Sequence, residues 1–424
     1  MIARRYFLKS AGLSAFGLGF VPSFLRRAAF ALEGAPAVST RKVLIAVFMR
    51  GAADGLNIVV PFGEKDYYRM RPTIAIPTPS RSAAEGQAGI DLDGFFAFHP
   101  KLAALKPLYD AGHLAAIHAV GSPASTRSHF DAQDYMESGT PGVKATDTGW
   151  LNRYLQSAPE AEATPFRAVA VQPLLPRSLE GRAPALALQD ARNFHLAFGP
   201  GTPMARSMEG AFEALYASAS DPLMAGTARE TFNAVEALQN IGRQPYLPEN
   251  GVQYPRSPLG HHLEQVAQLI KSGLGLEIAF VDVGGWDHHV NEGGAEGQLG
   301  TRLKDLAESL AAFHKDMGER MADVVVLTMS EFGRTARENG NRGTDHGHAN
   351  VMFALGGPVR GGKVYAQWPG LEPEQLNEGR DLALTTDFRD VFAEVVVRHL
   401  GGRQPSSVFP GFPVSSSRFR GFLS

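Results

Sequence analysis

Three side chains that commonly bind metals lie within four residues, in the segment Asp345-His346-Gly347-His348. A second group, Asp287-His288-His289, follows a pair of glycines earlier in the chain. Carboxylates and imidazoles suit zinc, while sites richer in carboxylates suit manganese, magnesium or calcium. The chain has no cysteine, which excludes thiolate ligands, disulfides and a catalytic thiol. The sequence therefore predicts a site for a divalent metal, zinc first, with calcium, manganese or magnesium as alternatives. The candidate ligands are Asp54, Asp287, His289, Asp345, His346 and His348.

Hydroxyl groups form a second set of candidates, in the loop that leads into the helical pattern beginning near His129. Ser125, Thr126 and Ser128 all lie there. A hydroxyl at a helix N-terminus lies at the positive end of the helix dipole, which favours an alkoxide or a bound phosphate. Capping of the helix explains any one of these residues equally well. Two guanidinium groups, those of Arg127 and Arg334, are candidates for binding ester oxygens, and a structural salt bridge is the alternative for Arg334.

The elements that must position these side chains are four apolar runs, each typical of a buried parallel strand. Each run ends where a loop of glycines or other small or polar residues begins. They are Arg41–Arg50, Leu114–Val120, Leu276–Val283 and Val324–Leu327. Because the carboxyl ends of parallel strands meet at one edge of a sheet, we expect Asp54, Ser128, Asp287 and Asp345 to converge there.

The rest of the chain completes an α/β pattern. A further strand is predicted at Val351–Leu355, and amphipathic helices at Leu259–Ser272, Gln298–Met317 and Asp387–Leu400. These patterns predict a mainly parallel sheet with helices on both faces. Residues 190–260 are largely helical in pattern and predict an inserted helical cap. Two histidines are expected to lie in the core without a functional role, His118 within a strand and His399 at the end of the last helix.

The first 31 residues predict an export signal. They contain five bases and no acid, and a mostly apolar segment from Ala11 to Leu25 that is too short for a comfortable membrane span. Arg4-Arg5 followed by Phe7-Leu8-Lys9 resembles the bacterial twin-arginine signal, and Ala29-Phe30-Ala31 offers a cleavage site. We expect recognition by the twin-arginine export machinery and a periplasmic or secreted mature protein of about 393 residues, with no stable membrane span.

The mature chain is expected to be one domain, residues 32–424. Of 424 residues, 44% are apolar and 20% charged, which is typical of a globular enzyme. The formal charge is −2, and removal of the five bases of the leader leaves −7. An acidic mature chain argues against a nucleic-acid partner.

Several motifs carry a resemblance to known families. TDHGHA resembles the D-H-x-H metal motif of the alkaline phosphatase superfamily, which includes sulfatases and phosphodiesterases. More closely, RGAADG, RSHFDAQDYME, GGWDHH, SEFGRT and GTDHGHAN resemble a bacterial sulfatase-like family of exported proteins of unknown function. These motifs span Arg50 to Asn350 in the expected order.

The resemblance implies an alkaline phosphatase-like fold and assigns roles to residues. Asp54, Asp345 and His346 would bind one metal, and Asp287 with His289 another, with His348 in place of a late histidine ligand. The RSHF pattern favours Ser128 as the nucleophile, with Thr126 second. Glu331 would orient one of the metal-binding side chains without binding the metal itself. The chain departs from the formylglycine sulfatases, since it lacks cysteine and Ser122-Pro123 has its proline one place too early.

Together these features predict an exported, metal-dependent hydrolase of phosphate or sulfate esters, acting on a small molecule or a glycan. The alternative is an exported binding protein that keeps the fold and the metal but does not turn a ligand over.

Overall fold

The structure is a computed structural model that describes residues 41–80, 86–158, 166–189 and 246–424. The predicted signal, residues 1–31, lies outside the described residues. So does most of the predicted cap, since residues 190–245 are not among them. Within the described part of residues 190–260, a short 3-10 turn occupies Glu249–Gly251 and a helix begins at Pro258.

Twelve strands occur in the described part of the chain. They are β1 (Val43–Arg50), β2 (Val59–Val60), β3 (Ile90–Asp91), β4 (Ala97–Phe98), β5 (Leu114–Gly121), β6 (Ala168–Ala170), β7 (Leu186–Ala187), β8 (Ile278–Gly284), β9 (Val324–Met329), β10 (Asn350–Gly356), β11 (Lys363–Tyr365) and β12 (Thr386–Asp387).

Nine α-helices lie between these strands or follow them, within the same described ranges. They are α1 (Gly55–Ile58), α2 (Lys65–Met70), α3 (Lys106–Asp110), α4 (His129–Ser138), α5 (Trp150–Ser157), α6 (Pro258–Lys271), α7 (Gln298–Met317), α8 (Phe388–Glu394) and α9 (Pro405–Val408). Short 3-10 segments add Pro100–Leu105, Arg177–Leu179, Gly318–Asp323 and Ser416–Arg418, and a π-helical turn, Val395–His399, continues α8.

The central sheet has the order β11-β5-β10-β9-β1-β8-β6-β7, with β12 paired to β5. All its pairings are parallel except those of β10, which runs antiparallel to both β5 and β9. A separate small sheet joins β2, β4 and β3. The prediction of an α/β fold with a mainly parallel sheet is confirmed.

Strand β1 shows why the sheet is covered on both faces. Val43, Ile45, Val47 and Met49 point into one apolar core, which also contains residues of α6 and α7. The alternate residues of the strand, Leu44 to Phe48, point into a second core with residues of α5 and α8. Because successive side chains of a strand face opposite ways, a continuous apolar run needs a packed layer on each side. Helices on both faces follow from that requirement.

The ends of four strands define one edge of the sheet. Strands β1, β8 and β9 are parallel, and β5 shares their direction because both β5 and β9 are antiparallel to β10. The chain therefore leaves all four strands at the same edge, as predicted. Strand β10 starts at that edge, so the polar segment before Asn350 also lies there.

The two histidines expected in the core are buried. His118 is fully buried and its Nε2 is 2.9 Å from the carbonyl oxygen of Val59. His399 is buried, with Nε2 2.9 Å from the carbonyl oxygen of Val43. Of the helices in the described ranges, none is both long and apolar enough to cross a membrane.

Candidate metal centre

Four side chains meet at the sheet edge, at a point above β1, β8 and β9. They are His129, Asp287, His289 and His346, which we call the metal cluster. The Nε2 atom of His346 lies 3.0 Å from Nε2 of His129 and 2.9 Å from Nε2 of His289. The carboxylate of Asp287 lies 3.0 Å from Nε2 of His289, 3.4 Å from that of His346 and 3.5 Å from that of His129. Ligand atoms of His129, Asp287 and His346 all lie within 4.8 Å of one another, and His289 adjoins them through its contacts with His346 and Asp287.

The outer nitrogen of each ring already has an acceptor. Each Nδ1 lies within 3.0 Å of the oxygen of an ionised carboxylate or a backbone carbonyl. Such an oxygen accepts a hydrogen bond and cannot donate one. These partners are the Glu331 carboxylate for His129, at 2.8 Å, the Asp345 carboxylate for His289, at 3.0 Å, and the Arg127 carbonyl for His346, at 2.9 Å. On this pattern of partners, the proton of each neutral ring belongs on Nδ1 and the lone pair on Nε2.

Neighbouring nitrogen lone pairs at these distances cannot satisfy each other. Neutral rings that all present acceptors have no hydrogen to share, so a cation between them is the arrangement that satisfies every nitrogen. An imidazole whose outer N–H is held by a carboxylate or carbonyl is the usual environment of a metal ligand. Tetrahedral zinc with Zn–N bonds of about 2.05 Å places two nitrogens roughly 3.3 Å apart, close to the separations here. His129, His346 and Asp287 therefore fit a divalent ion, and His289, next to His346, is placed to be a further ligand.

The charges around the cluster support the same assignment. Burial raises the pKa of Glu331, but hydrogen bonds from His129, Gln133 and the Gly51 backbone outweigh it, and the net pKa lies below the usual value. Burial likewise opposes ionisation of Asp287, and the adjacent Arg334 guanidinium still brings its pKa below the usual range. Both carboxylates are therefore ionised at neutral pH.

The rings differ in their own tendency to hold a proton. The hydrogen bond to Glu331 raises the pKa of His129, despite partial burial. Burial lowers the pKa of His346. A proton on His129 is therefore the main competitor of a metal at this point.

Arg334 holds Asp287 in place. Its guanidinium is fully buried and one of its Nη2 hydrogens is directed at Asp287 Oδ1, 2.5 Å away. The other donors go to backbone carbonyls, among them that of Ala52 at 2.6 Å and that of Thr344 at 3.1 Å. The guanidinium is thus engaged by the protein and acts on the site through Asp287.

A short hairpin brings His346 to the cluster. Residues Arg334 and His346 form an isolated antiparallel bridge, and the N–H of Gly347 donates to the carbonyl of Gly333 at 2.8 Å. A Cβ on Gly347 would lie only 2.3 Å from the backbone carbonyl of Arg334, so only glycine allows this approach. Gly347 therefore allows the close backbone contact that places His346.

The structure brings Asp345 beside the cluster and leaves Asp54 and His348 apart from it. The Asp345 carboxylate contacts Nδ1, the outer nitrogen of His289. Asp54 is buried and bound through both carboxylate oxygens to the buried guanidinium of Arg71. His348 is half-buried and its charged neighbours are Asp381, Arg127 and Glu378. Three of the six predicted ligands, Asp287, His289 and His346, therefore lie in the cluster itself.

The hydroxyl candidates lie at the start of α4. Ser128 is exposed and its Oγ accepts the N–H of Asp131 at 3.5 Å, as a helix cap does. Thr126 Oγ1 accepts the N–H of Ser128 at 3.2 Å. The Arg127 guanidinium donates to Glu378 and Asp381, at 2.7 and 2.8 Å. The first residue of α4 after Ser128 is His129, so these hydroxyls border the cluster in the chain.

The comparison with known families now has its structural context. The family model described as "Protein of unknown function (DUF1501)" matches residues 41–408. The chain belongs to this family. No curated protein is similar to the chain at a significant level. Among solved structures, it is similar to the crystal structure of the PsFucS1 sulfatase from Pseudoalteromonas sp., with a TM-score of 0.37 and 11% identity over 89% of this chain and 70% of that one.

Sequence reasoning missed one cluster residue of this DUF1501 chain, His129. It stands in the motif RSHF, where the neighbouring hydroxyls drew attention as nucleophiles. The available signal was its position, because a histidine directly after the strand-to-helix loop of β5 must lie at the same edge as Asp287 and His346. Glu331 was expected to orient a ligand, and its contact with His129 Nδ1 is of that kind.

Proposed function

We propose that this chain is an exported, metal-dependent hydrolase of sulfate or phosphate esters. The observation that carries the proposal is the convergence of the His129 and His346 Nε2 atoms and the Asp287 carboxylate, with Nε2 of His289 beside them. The resemblance of the sequence motifs to the alkaline phosphatase and sulfatase superfamily supports the choice of ester. Zinc is the favoured metal, because three imidazoles and one carboxylate suit it better than they suit calcium or magnesium.

A divalent ion in the cluster would supply Lewis acidity to an ester oxygen, as metals do in hydrolases of this kind. The chain's own residues hold that site in shape. Glu331 and Asp345 fix the tautomers of His129 and His289, so that both rings present Nε2 inwards. Arg334 keeps Asp287 ionised and directed at the same point.

The nucleophile that we favour is the hydroxyl of Ser128. Its 3.5 Å contact with the Asp131 N–H is long, so little is lost when the hydroxyl turns towards a substrate. Its exposure leaves room for an ester, and α4 places it at a helix N-terminus, where developing negative charge is stabilised. Thr126 is the alternative, and the Arg127 guanidinium lies close enough in the chain to bind an ester oxygen after leaving Glu378.

Export is part of the same proposal. The paired Arg4-Arg5 and the short apolar segment that follows support transport by the twin-arginine machinery to the periplasm or the exterior. That route carries folded proteins, which suits a chain whose ligands come from distant segments and assemble only on folding. The substrate in that compartment would be a small molecule or a glycan ester.

One observation favours a second candidate function, a metal-dependent binding protein without turnover. Both hydroxyl candidates cap backbone N–H groups at the start of α4, and Asp54 is bound to Arg71. A chain of this kind would hold a metal and an anionic ligand and release the ligand unchanged.

The decisive experiment combines metal analysis with a small substrate panel. The exported protein is purified and its metal content is measured, and then 4-nitrophenyl sulfate, 4-nitrophenyl phosphate and bis(4-nitrophenyl) phosphate are assayed. His346→Ala should lose the metal and reduce turnover by roughly 100-fold or more. His261→Ala changes an exposed histidine on α6 and serves as the matched control.

The outcomes separate the two functions. Metal in the wild type, with turnover that depends on His346, supports the hydrolase. Metal that depends on His346 without turnover of any substrate supports the binding protein. A folded wild-type chain that takes up no zinc, manganese or calcium overturns both.

A further inference from the structure

A cavity of about 270 Å³ opens beside the metal cluster and shares a wall with it. Asp345 links the two, since it lines the cavity and accepts from Nδ1 of His289. Asn339 also lines the cavity and donates to the Asp345 carboxylate at 3.1 Å and to the His289 carbonyl at 3.0 Å. Small-molecule sites usually exceed roughly 300 Å³, so this cavity suits one part of a ligand whose remainder reaches the cluster.

Three guanidinium groups line the cavity, those of Arg69, Arg337 and Arg380. Within the described ranges, the ion-pair partner of Arg69 is Asp66 on the exposed surface of α2, a pair of small energy. Arg337 is exposed, and among the described residues its guanidinium has no ion-pair partner. Arg380 donates to the backbone carbonyl of His346 at 3.0 Å and its Nε lies 3.7 Å from Asp381 Oδ1, which leaves further N–H groups for a ligand.

The cavity also contains two carboxylates, fewer than its arginines, and the oxygens of both already accept hydrogen bonds from the protein. Glu338 accepts from the hydroxyl and N–H of Thr73 and from the N–H of Ile74, at 2.9 to 3.1 Å. Asp345 accepts from His289 and Asn339. The free hydrogen-bonding capacity of the cavity is therefore cationic.

Apolar residues also line the cavity, namely Met70, Leu371, Pro373 and Leu376. A group that fills the cavity must therefore offer negative charge to the arginines and carbon to these side chains. A saccharide ring that carries a sulfate or a carboxylate meets both requirements, since its C–H face packs on apolar side chains while its anionic group reaches the arginines.

We propose that this cavity binds a second anionic group of the substrate, carried on a saccharide ring next to the ester that reaches the metal cluster. The inference rests on the proposed ester hydrolase and narrows its substrate to an anionic glycan with at least two charged groups. A sulfate and a carboxylate share the necessary chemistry, and the choice of probes tells them apart.

The test is a binding titration of the exported protein, which needs no turnover. The probes are a heparin-derived disaccharide with three sulfates and its fully desulfated form, which keeps only the uronate carboxylate. Calorimetry is carried out on the wild type, on Arg337→Ala and on Arg342→Ala. Arg342 is an exposed arginine of the same loop that does not line the cavity, so this control changes the net charge equally.

We expect the sulfated probe to bind the wild type and Arg342→Ala alike, and to bind Arg337→Ala about tenfold more weakly. A tenfold loss for the desulfated probe as well assigns the site to a carboxylate, and a loss for the sulfated probe alone assigns it to a sulfate. If both variants bind the sulfated probe equally more weakly, the effect is one of diffuse charge and the proposal is overturned. The proposal is also overturned if Arg337→Ala binds the probe as tightly as the wild type does.

The same titration on protein stripped of metal with a chelator separates this inference from the proposed function. If binding that depends on Arg337 persists while the loaded protein hydrolyses no ester, the cavity stands and the hydrolase falls. If the loaded protein hydrolyses aryl esters but Arg337→Ala binds the probes as the wild type does, the hydrolase stands and the cavity assignment falls.

Discussion

Replacement of Glu331 tests the assignment of the metal cluster directly, because His129 is the cluster residue that Glu331 contacts. Its side chain is fully buried and accepts from His129 Nδ1 and Gln133 Nε2, both at 2.8 Å, and from the Gly51 N–H at 2.9 Å. It also accepts from the hydroxyl of Ser330 at 3.1 Å. Glu331→Gln keeps one oxygen for the three nitrogen donors and can donate its amide to Ser330. Glu331→Ala keeps none of these contacts.

The two variants should therefore differ in degree. Loss of an outer partner of a metal-bound histidine usually lowers metal affinity by about 10- to 100-fold. We expect Glu331→Gln at the lower end, since only the negative charge is lost, and Glu331→Ala at the upper end, since His129 is then free to rotate. Glu331→Ala also leaves the buried N–H of Gly51 without an acceptor, at a cost of about 1–3 kcal/mol in the free energy of unfolding.

The assay is competition for zinc against a chromophoric chelator, with a urea titration for stability. Glu394→Gln serves as the control, because Glu394 is equally buried but accepts from the N–H groups of Gly421 and Leu423, at 3.0 and 3.2 Å. It should reduce stability without changing zinc affinity. If Glu331→Ala binds zinc as tightly as the wild type does, His129 is not a ligand and the four-residue cluster is refuted.

Three further predictions follow from the same contacts. Asp54→Asn should destabilise the fold by about 3–5 kcal/mol, because it removes the carboxylate that pairs with the buried Arg71 guanidinium. The metal content should stay at the wild-type level, and elemental analysis of the folded fraction measures it. Gly51→Ala should weaken zinc binding, as its Cβ would lie 2.8 Å from the Asp287 N–H at a backbone φ of +120°, and the chelator assay measures the loss. Burial lowers the pKa of His118 in the folded chain to about 4. Because the unfolded chain binds this proton already below about pH 6.5, the free energy of unfolding should fall between about pH 6.5 and pH 4. His118→Gln should remove about 2 kcal/mol of the difference in unfolding free energy between pH 7 and pH 5, measured with urea; an undiminished difference would contradict the assignment.

The sheet could be predicted from the sequence because its central strands have a clear apolar pattern. The runs of β1, β5, β8 and β9 are continuous and apolar, and such runs pack only when both faces are covered. The antiparallel direction of β10 was not predicted, since Asn350–Gly356 has the same apolar pattern whichever way it runs. Direction depends on the connection from β9, residues 330–349, whose backbone contacts at Gly333 and Gly347 cannot be predicted from composition.

The site was predicted in part for an equally physical reason. Convergence at one edge follows from topology, and the structure places Asp287, His289 and His346 next to one another there. Which carboxylate faces the cluster depends on partners that only the fold supplies. Asp54 leaves strand β1 at the right edge, but Arg71, seventeen residues later, takes both of its oxygens. A pattern of residue types cannot show that a ligand is already bound by the protein.

Arg334 shows how one residue of the predicted set gains a different role from its surroundings. The sequence left open whether it binds ester oxygens or forms a structural ion pair. Its donors reach the carbonyls of Gly51, Ala52 and Thr344 as well as the Asp287 carboxylate, so one planar group ties the loops after β1, β8 and β9 to each other. A lysine could keep the charge beside Asp287 but could not reach all three loops, because only the guanidinium fork donates in several fixed directions. The precision of the metal cluster therefore comes from a residue that never needs to meet the substrate.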